Sequence, residues 1–274
     1  MDTPKQSRAD RYESFYREVD SPLMQKIRRE TFGEDIGLHS WGNAQEVRAD
    51  IARLGISSSS RIVDLGCGPC GPLTFILKTV GCRGTGVELS PSALRAGEAR
   101  ARSLGVEALL SVQEADLNEP LPYPPRSFDA AIAIDVVLHL RDRSKFFGGV
   151  ANILRPGGKF VFTDAGIVTG AVSNEDVRDR SPRGFTQFAP PGWNEKLLES
   201  AGLRLLETED RTQSVFEYAT RRLAAIQKYR AELEGVSEAF DFELEKAYLG
   251  AAARLARSKA VSRIMYLAQL DAAA

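Results

Sequence analysis

The chain has 274 residues, with 36 Lys and Arg against 37 Asp and Glu, three Cys and two His. That length makes one large domain, or a core with an appendage, with ample chain to bury a hydrophobic interior. The balanced charge argues against a broad nucleic-acid footprint, and no apolar run approaches the ~20 residues needed to span a bilayer. Three cysteines (Cys67, Cys70 and Cys82) are too few and too odd in number for a disulfide framework. The charged stretch from Met1 to Arg17 does not read as a secretory signal, so the expected location is cytoplasmic.

Up to about Glu30 the chain is polar with scattered aromatics (Tyr12, Phe15, Tyr16), which suits either a helix or a mobile arm. A glycine-bounded segment, Phe32 to Gly42, follows, and Gln45–Leu54 reads as a helix closed by Gly55. Strands are then expected at Arg61–Leu65, Gly84–Leu89, Leu109–Glu114, Ala130–Asp135 and Lys159–Asp164. Helices are expected between them at Leu73–Val80, from Ser90-Pro91 onward, and at Val136–Leu154, the last stopped by Pro156-Gly157-Gly158. The alternation predicts a doubly wound, Rossmann-like α/β sheet, and a run such as Ala130-Ala-Ile-Ala-Ile134 suits a strand buried on both faces. Beyond Asp164 the rhythm loosens. Trp193–Ala201 reads as a helix, Leu203–Thr208 as a strand, and Gln213–Ala260 as a helical tract broken near Gly235 and Gly250. Ile264–Ala268 brings the sheet to about seven strands. The division expected is a helical arm or lid over residues 1–45, a cofactor-binding core over 46–165, and the remaining strands with a helical substrate lid over 166–274.

The sharpest local feature is Val63-Asp-Leu-Gly-Cys-Gly-Pro-Cys-Gly71, a glycine turn between a strand and a helix. Its glycines have the spacing of a dinucleotide fingerprint, which alone is weak. Asp64, at the strand end, would repel a pyrophosphate resting on the turn and favour a cofactor with a cationic amino-acid end. Glu88 ends the second strand twenty residues beyond Gly68, where a carboxylate can accept both hydroxyls of an adenosine ribose. Asp116 follows the third strand and can accept from the exocyclic amine of adenine, with Leu117 covering a ring face. All these groups fall at the carboxyl edge of one parallel sheet, where open α/β sheets bind ligands.

Val63-Asp-Leu-Gly-Cys-Gly68, Gly86-Val-Glu-Leu-Ser90, Glu114-Ala-Asp-Leu117, Ser127-Phe-Asp-Ala-Ala-Ile132 and Leu154-Arg-Pro-Gly-Gly-Lys-Phe160 together resemble the successive motifs of the class I S-adenosylmethionine-dependent methyltransferases. The resemblance runs from about residue 46 to 165. It assigns the amino-acid end of S-adenosylmethionine to Asp64, Gly66 and Gly68, the ribose to Glu88 with Leu89 beside it, the adenine to Asp116 and Leu117, and the exit of the fourth strand to Asp135. Phe32-Gly-Glu-Asp35, Ser40-Trp-Gly42, Asp135-Val-Val-Leu-His139 and Phe162-Thr-Asp164 are similar to the small-molecule branch containing phosphoethanolamine and sarcosine/dimethylglycine methyltransferases. In the phosphoethanolamine enzymes the His at the position of His139 pairs with a lid Tyr. Asp20 stands at the Tyr position here, and Ala165 and Phe185 stand near the positions of phosphate-lining tyrosines. Arg183 matches a basic position. The departures disfavour a phosphobase substrate.

Methyl transfer is an in-line displacement in which the leaving thioether needs no protonation, so alignment carries most of the catalysis. A base is needed only where the nucleophile carries a proton. Asp135 and His139, one helical turn apart, are the catalytic candidates: His139 as that base, or as a residue that merely bonds a lid or helix end. Trp41 lies in the glycine-flanked segment with His39, and either its face meets the sulfonium or it anchors the lid. Glu34 and Asp35 read as solvated, and so does Arg221-Arg222. Phe185, Phe188 and Trp193 form a substrate wall or ordinary core. Cys67 and Cys70 have redox-motif spacing, yet they read as small residues filling a tight turn, and no metal site is expected.

The function expected is S-adenosylmethionine-dependent methylation of a small molecule at N or O. The competing readings are C-methylation of a prenyl or ring carbon, a nicotinamide-dependent oxidoreductase using Gly66, Gly68 and Gly71, and a non-catalytic cofactor-binding module.

Overall fold

The computed structural model describes Glu13, Tyr16 and residues 19–182, 184–236 and 240–271. Tyr12, Phe15, Arg183 and the alanines at 272–274 lie outside the described residues.

Five parallel strands come first: β1 (Arg61–Leu65), β2 (Arg83–Glu88), β3 (Leu110–Glu114), β4 (Phe128–Ile134) and β5 (Leu154–Val168). Two more follow, β6 (Leu203–Asp210) and β7 (Val261–Leu270), with β7 antiparallel to both β5 and β6. The single sheet has the order β3-β2-β1-β4-β5-β7-β6, so the winding reverses between β1 and β4. Parallel strands covered on both faces must be apolar at every position rather than at alternate ones. Ile62, Ala130 and Val161 accordingly pack with α2 (Ala44–Leu54), α3 (Gly71–Val80) and α4 (Pro91–Leu104). Their neighbours Val63, Ala131 and Phe160 pack on the opposite face with α5 (Arg143–Ile153) and α7 (Trp193–Ser200). The first-face helices start on side-chain caps or a tight turn and end on left-handed glycines, Gly55, Gly81 and Gly105.

A third core lies over the carboxyl edge of the sheet. It joins α1 (Pro22–Phe32) to α8 (Thr212–Lys228) and α10 (Phe242–Arg257) through Ile27, Trp41, Tyr218, Ile226 and Leu249. Two short helices complete the chain, α6 (Asn174–Asp179) and α9 (Arg230–Val236).

Several expectations are corrected. Val136–Leu154 is not one helix. Asp135 takes a left-handed φ of 56°, Val137–His139 is a 3-10 turn, and α5 begins only after Asp142 caps it by accepting from Lys145 N. Pro156-Gly157-Gly158 does not separate helix from strand, because β5 already begins at Leu154 and continues past a register shift against β4. Gly250 sits inside an unbroken α10. The break after α8 falls at Tyr229, which leaves helical geometry (φ −104°, ψ 19°). No described helix is long and apolar enough to cross a membrane.

Candidate functional site

β1 runs directly into the glycine turn. Gly66 has φ 80°, and a Cβ there would press 2.6 Å from Val136, so the turn admits no side chain. Gly66 N and Cys67 N both donate to Val87 O, tying the turn to β2. A Cβ on Gly71 would run into the Gly37 carbonyl, which shows how closely the Phe32–Gly42 segment lies over the turn. Tyr16 covers it from the other side, its hydroxyl 3.1 Å from where a Cβ on Gly68 would be.

Three carboxylates surround this turn, and the cleft they line continues beneath α8 and α10. Asp64 is 2% exposed, and burial first, then Glu88, pushes its carboxyl up to about 8. In the ligand-free protein it therefore holds a proton at neutral pH. The expected repulsion of a pyrophosphate loses force on that account, but a cation would draw the proton off. Glu88 accepts from three backbone N–H groups, those of Gly68 (3.1 Å), Leu89 (2.8 Å) and Ser90 (3.1 Å), so its carboxylate is fixed before any ligand arrives. Asp116 caps its own turn by accepting from Asn118 N and Nδ2 on one oxygen. Leu89 and Leu117 line the same cleft.

Asp135 lines the cleft too, but its oxygens are engaged. It accepts from Trp41 N (3.1 Å), Thr163 Oγ1 (2.8 Å) and Arg263 Nε (2.8 Å). Burial would raise its pKa; the Arg263 charge, with these hydrogen bonds, outweighs burial and holds it below the usual carboxylate range. Arg263 reaches on to Glu46 (2.6 Å), and Glu46 lies 3.5 Å from Arg211, itself paired with Asp50 (2.6 Å). A carboxylate held this way orients the strand exit and the Trp41 backbone, and it is poorly suited to take a proton. That geometry favours a positioning role for Asp135 over the catalytic one expected for it.

His139 lines the cleft from the 3-10 turn rather than from a helix face. Its Nδ1 is 3.3 Å from Phe185 O; a carbonyl only accepts, so this contact calls for a proton on Nδ1. Phe185 stands 47% exposed at the mouth, whereas Phe188 packs against the cluster of Leu255, Ala260 and Val261, and Trp193 lies under Arg143. The Trp41 ring is buried against Tyr218 and Tyr248, with centroids 5.0 and 5.5 Å away. His39 Nε2 accepts from Arg28 (3.2 Å), and burial followed by the charges of Arg28, Arg222 and Arg100 pushes the imidazole well below its ordinary pKa. Asp35 is not solvated as expected: it accepts from Arg28 Nε and Gly37 N and so shapes the segment.

Cys67 and Cys70 are thiols with Sγ atoms 3.4 Å apart, packed where Gly86 leaves room; burial and the neighbouring Cys70 keep Cys67 well above its ordinary pKa, so it is not a reactive thiolate. Among the described residues no group of three or more His, Cys, Asp or Glu could hold a metal ion.

The sequence places Arg222, with Arg221, on a solvated face. The structure buries it to 7% exposure beside Glu245, while Arg221 stays in solvent. The signal was available: Arg222 interrupts the apolar stripe Val215, Tyr218, Ala219, Ala225, Ile226 at helical spacing. Arg180 and Tyr248, which also line the cleft, carried no such mark.

Residues 63–162 match the family model described as Methyltransferase domain. The chain is 31% identical over 204 residues to a glycine/sarcosine/dimethylglycine N-methyltransferase of Actinopolyspora halophila, covering 74% of this chain and 35% of that protein. It is 33% identical over 164 residues to methyltransferase GfsG of Streptomyces halstedii, covering 58% of each. The matched region thus spans from about a third to under two thirds of these relatives. Among solved structures, Haemonchus contortus phosphoethanolamine N-methyltransferase 2, in complex with phosphomonomethylethanolamine and S-adenosylhomocysteine, aligns with a TM-score of 0.79 at 20% identity, over 98% of this chain and 61% of that one; at that identity the likeness is one of fold. With the domain match, the strand order and the glycine turn in agreement, the chain carries a methyltransferase domain of the class I, S-adenosylmethionine-dependent kind.

Proposed function

We propose that this chain methylates a small molecule at oxygen or nitrogen, with residues 46–165 holding the cofactor and the segments on either side (1–45 and 166–274) supplying the lid. The observation that carries the reading is the set Asp64, Glu88 and Asp116 around one glycine turn, at the mouth of a cleft that continues under the helical roof. These residues fit S-adenosylmethionine: a desolvated carboxyl beside the turn suits an ammonium, and a carboxylate already fixed by three N–H groups suits a ribose diol. Bound S-adenosylmethionine supplies an electrophilic methyl on a sulfonium.

In this reading Asp64 gives up its proton to neutralise the amino-acid end. Glu88 accepts from the ribose, Asp116 from the adenine amine, and Leu89 and Leu117 cover the base. Gly66 and Gly68 keep side chains out of the way. Asp135 acts as a positioning residue through Trp41, whose ring closes the acceptor end of the cleft. His139 Nε2 receives the proton of a hydroxyl or ammonium nucleophile, a role that contributes ~10²–10⁴-fold where such a proton must leave. The roof of α8 and α10 excludes water. Three unpaired buried thiols suit a reducing, cytoplasmic setting.

Titration calorimetry with S-adenosylmethionine, S-adenosylhomocysteine and NADH tests the reading: the first two are expected to bind and NADH is not. Methyl transfer to a panel of amines, phenols and activated carbon acids then separates N, O and C acceptors. Tight NADH binding with no response to either adenosyl ligand overturns the proposal. Binding without transfer to any acceptor favours a non-catalytic module.

A further inference from the structure

The end of the cleft that this reading gives to the acceptor contains a cation that no described residue supplies with a counter-charge. Arg180 is 5% exposed and lines the cleft just after α6. Its guanidinium carbon lies 5.0 Å from the Trp41 ring and 5.2 Å from the Tyr248 ring, whose centroids are 5.5 Å apart, so the fork rests over both neighbouring aromatic rings. Among the described residues it makes one hydrogen bond, from Nη2 to Ala165 O at 3.3 Å. No carboxylate among the described residues pairs with it. The other buried guanidiniums near the cleft are all compensated: Arg28 by Asp20 and Asp35, Arg263 by Asp135 and Glu46. Arg222 donates to Tyr218 Oη at 2.6 Å and lies 3.8 Å from Glu245.

A second observation points the same way. Ser181 Oγ and Ser40 Oγ are buried and have no hydrogen-bond partner among the described residues. Both residues line this cleft, one next to Arg180 in sequence and the other next to Trp41, whose ring lies under the Arg180 guanidinium. Buried hydroxyls and buried cations are costly without partners, so orphans lining one cleft mark a place for a ligand group with several acceptor oxygens and a negative charge. The planar fork of arginine matches carboxylate and phosphate oxygens alike.

We propose that the methyl acceptor carries an anionic group, a carboxylate or a phosphate monoester, bound by Arg180 with Ser181 and Ser40 as supporting donors. The assignment rests on the methyl-transfer reading above, since it takes this end of the cleft as the acceptor site.

The test uses the full chain saturated with S-adenosylhomocysteine. Benzoate, its neutral counterpart benzamide, and inorganic phosphate are titrated separately, with intrinsic tryptophan fluorescence (Trp41 touches the site) and calorimetry as readouts. Saturable binding of benzoate or phosphate is expected, with benzamide at least tenfold weaker. Benzoate binding alone identifies a carboxylate and phosphate binding alone a phosphate monoester. Arg180→Met should lose at least tenfold in affinity for the anion while binding S-adenosylhomocysteine within twofold of the parent, and Arg180→Lys should recover part of the loss. If Arg180→Met does not fold, Ser181→Ala should still weaken anion binding several-fold. Benzamide binding as tightly as benzoate overturns the assignment, as does the absence of binding by either anion, or unchanged anion affinity in the variants; S-adenosylhomocysteine binding leaves the methyl-transfer reading standing in each case. Failure of the parent protein to bind S-adenosylhomocysteine overturns both.

Discussion

Protonated Asp64 makes cofactor affinity depend on pH in a calculable way. Its carboxyl titrates near 8 in the ligand-free protein because it is buried and faces Glu88. A ligand that brings an ammonium to this position binds the ionised form, so the observed dissociation constant scales as one plus the ratio of protonated to ionised Asp64. With that ratio set by a pKa of about 8, raising the pH from 6.5 to 7.5 should tighten binding about eightfold. Close to one proton, about 0.9, should be released per complex at pH 7. Calorimetry of S-adenosylhomocysteine in buffers of different ionisation enthalpy measures both quantities. Adenosine, which has no amino-acid end, should show no such slope. Asp64→Asn should flatten the profile and bind at pH 7.5 with the weak affinity of the parent at acid pH. A flat profile for the parent, or an equal slope for adenosine, would refute the placement of the amino-acid end at Asp64.

Other outcomes follow from the same geometry. Because the folded pKa of Asp64 is raised, the folded chain holds a proton that the unfolded chain has lost between about pH 4 and pH 8, and stability falls as pH rises through that window. Asp64→Asn should therefore raise the melting temperature of the ligand-free protein more at pH 8 than at pH 5. Glu88→Ala removes the ribose acceptor and also frees the three N–H groups that it holds; a cofactor affinity at least about tenfold weaker is expected by titration, at one charged hydrogen bond or more. Arg263→Met leaves Asp135 and Glu46 without their cation and should cost about 3–5 kcal/mol in urea unfolding, with Asp135→Asn in the same chain recovering part of it. His139→Ala should lower kcat by ~10²–10⁴ on a protonated nucleophile while leaving S-adenosylhomocysteine affinity unchanged, and the loss should shrink for a nucleophile that carries no proton.

The carboxylate side of the cleft, where we place the cofactor, was legible in the sequence, and the side beneath α8 and α10, where we place the acceptor, was not, for a physical reason. Asp64, Glu88 and Asp116 stand at or just beyond the ends of strands β1, β2 and β3, which register as adjacent parallel neighbours. Once the strands are recognised by their apolar runs, geometry forces their ends together whatever the helices do. The acceptor side is built differently. Arg263 looks like an interruption of an apolar strand until its partner Asp135, 128 residues away, is brought against it; the expected strand Ile264–Ala268 begins just after it, whereas β7 runs through it from Val261. Arg222 and Glu245 sit on separate helices, and Arg180 follows a short one; their burial depends on how α8 and α10 cross above the sheet. Val136–Leu154 fails as a helix at the same boundary, where the chain must bend sharply through Asp135 to put His139 at the rim. Periodicity reports which face of an element is buried, but not which buried charge will meet which. On this reading regular spacing announces the cofactor site, while the acceptor site depends on how buried charges far apart in the chain are packed together. Changes at Arg180, Ser181 or Arg222 should accordingly alter acceptor choice while leaving the affinity for S-adenosylhomocysteine in place.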